Sequence, residues 1–569
     1  MPRDDSSTLC PSRRQLMKTV AGLGIGSVVF QRAVVAQAPK EGAITEEMIK
    51  QAEWISGIKL ADADRKALVN RINATQRGYE RLRKVPLTND VAPAFAFIPS
   101  ATPVHQAERG TATSNSHAAA TKPESSDELA FLPLTALAHL VRKKAVSSVE
   151  LTKLYLERLK KYDPALKCAV TLTEDLALKQ AEAADKEIAA SKYRGPLHGI
   201  PWGAKDLISY PGYPTTWGAT PFKDQKLETK ATVAKRLEDA GAVLVAKLTL
   251  GALAMGDRWF GGMTRNPWNV KQGSSGSSAG SSSAVVAGLV GFAIGTETLG
   301  SIVSPCTRCG ASGLRPTFGR VSRAGCMALA WTMDKLGPIC RSIEDCALVF
   351  GAIHGADGQD AAAVDRPFRW PANRELKDLR VGYFEGKKDP PDRKELSVLK
   401  DLGVKLVPIQ LPDKYSPNDL RLILTAEASA AFDDLTRQGI TEGLNSWPAT
   451  FREGEFIPAV EYIRANRVRT LLMREMETLF EKVDMYVDVG PFFRDLTITN
   501  LTGHPTAVLP NGFTKAGDVE TPTAITFTGR LFGESDLLAV AHTYQEATKH
   551  HLRHPPMDKV TVENAGAKE

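Results

Sequence analysis

The sequence lacks the marks of several functional classes. Its 569 residues carry a formal net charge of only +7 and no dense stripe of Lys or Arg, which argues against nucleic-acid binding. Cys306 and Cys309 form one Cys-x-x-Cys pair, but no second Cys pair or His pair stands at zinc spacing. There is also no internal repeat. Length and an ordinary composition, with 43% hydrophobic and 24% charged residues, instead favour a large soluble enzyme domain with extensions.

The apolar run near the N-terminus is too short to cross a bilayer. Arg13, Arg14 and Lys18 precede twelve apolar or small residues over 19–30, whereas a bilayer core needs about 20. The charged start, the short run and Ala36-Gln37-Ala38 predict a twin-arginine signal peptide over 1–38. A helix tethered at the membrane surface is the alternative. We expect a bacterial protein exported in its folded state, periplasmic or secreted, without stable membrane insertion after processing.

Cysteine is scarce. Cys10 falls within the predicted signal, and six cysteines follow it. Export permits disulfides, but twin-arginine substrates fold first in the cytoplasm, where thiols stay reduced. We therefore expect most of the six to be free and buried: Cys168, Cys306, Cys309, Cys326, Cys340 and Cys346.

Composition divides the chain into segments. Spaced apolar residues predict a helical N-terminal extension over 42–85, and a stretch rich in Thr, Ser and Ala predicts a linker over 86–127. The main domain is expected over 128–555 and a tail over 556–569. Helix–Gly–strand alternation, as in the helix at 232–240, Gly241 and the strand at 242–246, predicts an α/β domain. Its sheet should be large, mixed and mostly parallel, and flanked by helices.

A Gly/Ser-rich stretch over 273–283 stands out. Its composition suits a linker, but it runs directly into apolar residues from Ala284 onward. We interpret it as a tight loop leading into a helix whose N-terminal N–H groups point at a site. A phosphate loop would need a Gly-Lys-Ser/Thr ending, which is missing. An expected strand at 289–294 then leads to Ser301, at a Gly-rich turn where N–H groups could meet an oxyanion.

A serine nucleophile needs a base. Lys205 ends a segment punctuated by Gly and Pro, and burial could lower its pKa enough to make it a base. Among the ten histidines, His198 and His504 are the alternatives. The residues alone favour lysine without excluding histidine.

At these positions the sequence resembles the amidase signature family. Quoted in order, the matching pieces are Gly199-Ile200-Pro201 to Lys205-Asp206, Arg265-Asn266-Pro267-Trp268-Asn269, the Gly/Ser loop, Gly295–Ser301, Cys309-Gly310 to Gly313-Leu314-Arg315-Pro316-Thr317, Gly319-Arg320-Val321-Ser322, Met333-Asp334 to Gly337-Pro338, and Asn500-Leu501-Thr502-Gly503-His504-Pro505. The resemblance covers roughly residues 129–550.

The resemblance implies a Ser–cisSer–Lys triad. Lys205 would be the base, Ser277 the bridging serine at a cis peptide and Ser301 the nucleophile. Ser278 would lie nearby and bind substrate or the triad. Backbone N–H groups of Thr298, Leu299, Gly300 and Ser301 would hold the oxyanion. No metal or organic cofactor is implied.

Two departures from the family pattern concern the loop before Ser301. Leu299 stands where the family usually has Gly, which should narrow the acyl pocket. Glu297 occupies the acidic position, but Val303 replaces the Arg that usually pairs with it. Glu297 therefore needs another partner. A nearby segment with Met255, Asp257, Trp259 and Phe260 is expected either to line the pocket or to pack in the core.

The expected function is hydrolysis of a small-molecule carboxylic amide to an acid and an amine or ammonia. One alternative is a glutamyl-tRNA amidotransferase A-like subunit, against which the predicted export argues. The other is a binding protein on the same scaffold that has lost catalysis. The expected partner is the amide substrate, with no nucleic acid; a homodimer is compatible with the sequence, which leaves the oligomeric state open.

Overall fold

The computed structural model describes residues 43–86, 95, 112–113, 121–385, 393–489 and 495–566. The predicted signal peptide lies outside these residues, as does most of the predicted linker. Within the described ranges, no helix is both long enough and apolar enough to span a membrane.

Fifteen strands occur in the described residues. They are β1 (Ala169–Leu172), β2 (Pro201–Lys205), β3 (Val243–Leu248), β4 (Arg258–Trp259), β5 (Gly262–Met263), β6 (Arg265–Asn266), β7 (Asn269–Gly273), β8 (Phe292–Glu297), β9 (Ser312–Arg315), β10 (Lys335–Cys340), β11 (Arg380–Phe384), β12 (Lys405–Ile409), β13 (Met485–Val489), β14 (Thr506–Ala516) and β15 (Val519–Gly529).

Eleven of these strands form one sheet in the order β1-β3-β2-β8-β10-β9-β14-β15-β13-β11-β12. The predicted α/β fold with a large mixed central sheet is confirmed. Parallel pairing is concentrated in two blocks, β3-β2-β8 and β13-β11-β12, rather than spread through most of the sheet. The strands between and beside these blocks pair antiparallel, because short connections such as the β14–β15 hairpin reverse the chain direction.

Helices flank the sheet. In the described ranges the α-helices are α1 (Glu46–Ser56), α2 (Asp62–Arg83), α3 (Ser126–Phe131), α4 (Leu134–Arg142), α5 (Ser148–Leu166), α6 (Glu174–Ala189), α7 (Thr232–Asp239), α8 (Ala279–Val286), α9 (Val303–Cys309), α10 (Ile343–Ile353), α11 (Lys394–Asp401), α12 (Leu422–Ala431), α13 (Asp433–Arg437), α14 (Trp447–Gly454), α15 (Ala459–Lys482), α16 (Leu496–Thr502) and α17 (Glu534–Thr548).

Both faces of the sheet are buried around the parallel block β3-β2-β8. On β3, Leu244 belongs to one apolar core, whereas Val243 and Val245 belong to a second core on the opposite face. This alternation follows from the two-residue period of a strand. Trp202 of β2 and Phe292 of β8 pack in the same core as Leu244. The block is therefore buried on both faces, and it positions the side chains at its carboxyl edge.

Helices α1 and α2 lie in the predicted N-terminal extension and contact the main domain. Arg71 of α2 pairs with Glu453 at 2.6 Å, and Arg83 pairs with Glu461 at 2.7 Å. These arginine side chains are partly exposed, so each pair contributes modestly to stability.

The strand before the predicted nucleophile begins later than expected. Residues 289–294 were expected to form it, but β8 spans Phe292–Glu297. Helix α8 ends at Val286, and the chain needs a turn at Gly288, whose φ is +64°, before it enters the sheet. Pairing with β10 then continues to Glu297, opposite Lys335. The strand thus carries Thr296 and Glu297 to the edge where β2 ends.

Candidate active site

Lys205 is the last residue of β2 and its side chain is completely buried. Its Nζ donates hydrogen bonds to Ser277 Oγ at 2.8 Å, Thr296 Oγ1 at 2.8 Å and Ser278 Oγ at 3.1 Å. Burial lowers the pKa of the Lys205 amine to about 7, against the opposing charges of Asp334 and Glu297. A large fraction of this amine is therefore uncharged near neutral pH.

The Gly/Ser loop presents Ser277 to this amine. The Gly276–Ser277 peptide bond is cis, as the family resemblance implies. Gly276 packs against backbone, since a Cβ built on it would lie 1.9 Å from the carbonyl oxygen of Gly256. The Ser275 N–H donates to Asp257 at 2.9 Å and anchors the loop from the other side.

Helix α8 begins directly after this loop, but its first N–H groups do not form an open anion site. The N–H of Ser278 donates to the carbonyl of Ser301 at 3.0 Å, and the N–H of Gly280 donates to the carbonyl of Thr249 at 3.0 Å. Tertiary contacts thus use these two donors, while the loop before the helix presents Ser277 and Ser278 to Lys205.

Ser301 lies beside the loop and is 8% exposed. The bond from the Ser278 N–H brings the backbones of the Ser277–Ser278 segment and Ser301 together. Within the described part of the chain, no hydrogen bond joins the hydroxyls of Ser277 and Ser301. The structure thus forms the Lys205–Ser277 contact and places Ser301 next to it, without a bond between the two serine side chains.

The segment before Ser301 has unused backbone donors. Among the described residues, none accepts a hydrogen bond from the N–H of Leu299, Gly300 or Ser301. Gly300 adopts a φ of +90°, a conformation that favours glycine. The Thr298 side chain is held in place, because its hydroxyl donates to Asp334 at 2.6 Å. Three free N–H groups beside a serine hydroxyl can hold a developing oxyanion.

Glu297 obtains the partner that Val303 does not provide. Arg315 of β9 pairs with it at 2.7 Å, and both side chains are fully buried. Asn500 Nδ2 also donates to Glu297 at 2.8 Å. Burial would raise the pKa of Glu297, but the Arg315 guanidinium outweighs it and holds the pKa at about 2. Glu297 is therefore a carboxylate.

The second oxygen of Glu297 faces the chain just after Ser301. It accepts the N–H groups of Ile302 at 2.8 Å and Val303 at 3.0 Å. This contact anchors the start of α9 and thereby the backbone that carries Ser301.

A cavity of about 280 Å³, here called the side cavity, opens next to Thr296 and Thr298. Its wall is mostly formed by the loop over 323–331 and by Leu207, Asp334, Leu336 and Asp360. Thr296 also bonds to Lys205, so the side cavity reaches the immediate surroundings of the amine.

The four residues expected to line the pocket or to pack do not line the side cavity. Met255 borders a different cavity, between α2 and α12. Asp257 binds the Gly/Ser loop, and Trp259 packs edge-on against Phe260 with ring centroids 4.8 Å apart. Their roles here are in packing and in shaping the loop.

Neither candidate histidine contacts the serines. His198 is buried and its Nδ1 accepts the N–H of Arg194 at 3.1 Å. His504 bonds to Thr502 at 2.8 Å and stacks on Phe480, and burial lowers its pKa to about 3. Of the three candidate bases, Lys205 is the one that contacts a serine of the predicted triad in the described residues.

All six cysteines after the predicted signal are free, and Cys326 is the one that is not fully buried. It lies in the wall of the side cavity.

Four site residues had no assigned role in the sequence analysis: Thr296, Arg315, Asp334 and Asn500. Each stands inside a segment quoted for the family resemblance, so motif membership was the available signal. Their roles depend on contacts between distant segments, which local sequence does not encode.

A buried amine, two serines and free N–H groups at the edge of a mixed sheet define an α/β protein with an amidase-type site. The comparisons with known proteins agree with this class. A family described as Amidase matches residues 150–491, which is more than half of the chain. The chain therefore belongs to the amidase family.

Individual relatives carry two different activities in their names. The chain is 33% identical over 490 residues to the A subunit of the glutamyl-tRNA(Gln) amidotransferase of Moorella thermoacetica, covering 76% of this chain and 99% of that one. It is 28% identical to a peptide amidase solved in complex with the competitive inhibitor chymostatin, with a TM-score of 0.66 and coverages of 74% and 98%. A native peptide amidase from Stenotrophomonas maltophilia gives 27% identity, a TM-score of 0.64 and coverages of 74% and 98%.

Proposed function

We propose that the protein hydrolyses a carboxylic amide to an acid and an amine or ammonia through a seryl acyl-enzyme. Lys205 is the base, Ser277 the proton bridge and Ser301 the nucleophile. The observation that supports this most is the buried Lys205 amine, whose hydrogen-bond partners in the described chain are hydroxyls and one backbone carbonyl. Without a carboxylate bonded to it, the amine can give up its proton near neutral pH.

The proposed first half-reaction is acylation. Neutral Lys205 takes the Ser277 proton, Ser277 takes the Ser301 proton, and Ser301 Oγ attacks the substrate carbonyl carbon. The proton then passes back along the same path to the leaving nitrogen as the C–N bond breaks. Catalytic hydrogen bonds often form only in the substrate complex, which accommodates the missing bond between Ser277 and Ser301 in this structure.

The oxyanion would be held by the N–H groups of Thr298, Leu299, Gly300 and Ser301. One such donor typically contributes about 3–4 kcal/mol to the transition state. Water then attacks the acyl-enzyme, with Lys205 again accepting a proton through Ser277. This second half-reaction releases the acid and restores the free serine.

A second candidate is the amidotransferase reaction named in the 33%-identical relative. It would use the same three residues, so the site geometry alone does not separate the two. The third alternative, a binding protein without catalysis, is disfavoured because all three triad side chains are present and Lys205 is bonded to Ser277.

The decisive test is turnover of purified protein on aryl amides, aliphatic amides and C-terminally amidated peptides, followed as ammonia or amine release. We expect hydrolysis by the chain alone, and no hydrolysis by Ser301→Ala of unchanged thermal stability. Dependence on glutamine and on a second, stably bound protein would favour the amidotransferase. Failure of a fluorophosphonate probe to label Ser301 in folded protein would favour the lapsed binding protein.

We also propose export through the segment over 1–38, which lies outside the described residues. Cell fractionation should place the protein in the periplasm or medium. Replacing Arg13 and Arg14 together by Lys should retain it in the cytoplasm, since the signal depends on the arginine pair.

A further inference from the structure

The side cavity differs in its chemistry from the polar triad beside it. Much of its wall is apolar and comes from Leu207, Met327, Leu329 and Leu336. Its volume of about 280 Å³ exceeds the roughly 150 Å³ of an apolar cavity that accepts a benzene molecule. The cavity is therefore large enough for an aromatic ring with a short alkyl chain.

In the described part of the cavity wall, the basic side chain is already paired with a carboxylate. Among the described residues in the wall, the acidic and basic side chains are those of Arg323, Asp334 and Asp360. Asp360 binds Arg323 through both oxygens at 2.8 Å, and the carbonyl of Trp331 accepts a further hydrogen bond from this guanidinium. Arg323 is thus neutralised inside the protein.

Asp334 adds a second acid to the wall. One of its oxygens accepts from the Thr298 hydroxyl, and the other accepts the N–H groups of Leu329 at 2.8 Å and Ala330 at 3.0 Å. The one cation of the wall is already paired with Asp360, so the wall offers an anionic group no free positive charge. In either protonation state of Asp334, a bound carboxylate would lack an unpaired cation, and burying it there would be costly.

We propose that the side cavity binds the acyl group of the substrate and selects uncharged aryl or branched alkyl amides over amides that carry a carboxylate. The inference rests on the proposed amidase function and specifies its substrate class. Thr298 connects the proposed oxyanion site to the side cavity, because it belongs to the segment of the oxyanion donors and also lines the cavity. An acyl group on a carbonyl held by these donors would extend past Thr298 into the cavity.

Primary amides test this directly, because ammonia is their leaving group and the acyl group is their only large part. We expect kcat/KM for 3-phenylpropanamide to exceed that for succinamate and for L-glutamine by about 100-fold or more, the discrimination expected when a carboxylate finds no partner. Values within threefold of one another, on the order of 0.6 kcal/mol, would overturn the inference while leaving the amidase function intact.

A charge variant sharpens the test. Ala328 lines the cavity and is half-buried, so Ala328→Arg places a new cation in the wall. The ratio of kcat/KM for succinamate to that for 3-phenylpropanamide should rise at least about tenfold, as expected for a new carboxylate–guanidinium pair. Ala183→Arg, on the exposed face of α6, is the matched control and should leave the ratio unchanged. Equal ratios in both variants would contradict the proposal.

A binding measurement separates this inference from the proposed function. Trp331 lines the cavity and is 48% exposed, so Trp331→Ala should weaken binding of 3-phenylpropanamide to Ser301→Ala protein in calorimetry, whereas Trp54→Ala should not. If no amide is hydrolysed but this binding pattern holds, the cavity assignment stands and the hydrolase proposal fails. Equal affinity for 3-phenylpropanamide and succinamate would sink the cavity assignment.

Discussion

Two completely buried lysines on neighbouring strands have opposite surroundings. Lys205 of β2 contacts the hydroxyls of Ser277, Ser278 and Thr296, whereas Lys247 of β3 forms a 2.7 Å ion pair with Asp206. Asp206 directly follows Lys205 in the chain, yet its carboxylate serves the other lysine. The two buried lysines therefore differ in their partners, which are hydroxyls for Lys205 and a carboxylate for Lys247.

Strand geometry explains why Asp206 pairs with Lys247 and not with the adjacent Lys205. Ala204 is in register with Lys247, and successive side chains of an extended chain point to opposite faces. Asp206 therefore faces the side of Lys247, and Lys205 faces the Gly/Ser loop. We expect Lys205 to act in catalysis, as proposed above, and the ion pair of Lys247 with Asp206 to act in stability.

The largest effect is expected for Lys205→Met, which keeps the bulk of the side chain and removes the amine. We expect kcat to fall by about 10³- to 10⁴-fold, because a general base and the activation of the serine are lost together. Ammonia release measures the activity and thermal unfolding measures the fold. Activity within tenfold of the parent protein would show that Lys205 is not the base.

The matched change at the other lysine should act on stability instead. Lys247→Met leaves the Asp206 carboxylate buried without its ion-pair partner, and we expect the free energy of unfolding to fall by about 3–5 kcal/mol. Urea denaturation measures it, with Lys205→Met as the control that lacks such a loss. Adding Asp206→Asn to Lys247→Met should recover part of the stability; no recovery would refute the ion-pair explanation.

A smaller effect is expected at the positioning carboxylate. Glu297→Gln weakens the bonds to the N–H groups of Ile302 and Val303, and we expect kcat to fall about 10- to 100-fold, the range of charge-assisted hydrogen bonds. KM should change less than kcat. Glu534→Gln is the control: this buried carboxylate also accepts a backbone N–H, that of Thr317, and is paired with an arginine, Arg320. Equal losses in both variants would indicate a general structural role.

The smallest expected change is that of kcat/KM of the parent protein for each unit of pH. Since the pKa of Lys205 is lowered to about 7 and the neutral amine is the active form, kcat/KM should drop about tenfold per pH unit below 7 and level off above it. The range from pH 5 to 7 covers about two pH units below that pKa. If kcat/KM stays constant over this range, Lys205 is not the base.

The same titration predicts the sign of a stability change. Unfolded Lys205 keeps its proton up to about its ordinary pKa of 10.5, while the folded protein releases it near 7. Unfolding therefore takes up a proton between these values, and the contribution of Lys205 to stability grows as pH rises through that window. Lys205→Met should lack this slope in urea titrations, whereas Lys247→Met should retain it.

Part of the fold could be predicted from the sequence alone. The α/β fold and a helix after the Gly/Ser loop were predictable, because they rest on local periodicity and turn residues. The start of β8 was misplaced by three residues, since an apolar run at a Gly turn does not reveal where pairing with β2 and β10 begins. Which strands pair parallel could not be read from the sequence, because strand order is not a local property.

In the candidate site, too, local sequence predicted residue types, whereas contacts between distant segments decided the partners. Residue type and resemblance favoured lysine over histidine; in the structure both candidate histidines bond elsewhere, and Lys205 contacts Ser277. The partner of Glu297 was left open in the sequence analysis and proves to be Arg315, 18 residues further along the chain. Asn500 joins from 203 residues away, which no local pattern indicates.

Local sequence sets which chemical groups are available and where the chain turns, because propensity, glycine positions and motif spacing act over a few residues. Tertiary structure alone decided what those groups do. Lys205 meets hydroxyls 72, 73 and 91 residues away in the chain, and the adjacent carboxylate is turned to Lys247. Acidity depends on burial and on neighbours in space, and both are set only when distant strands and loops pack together.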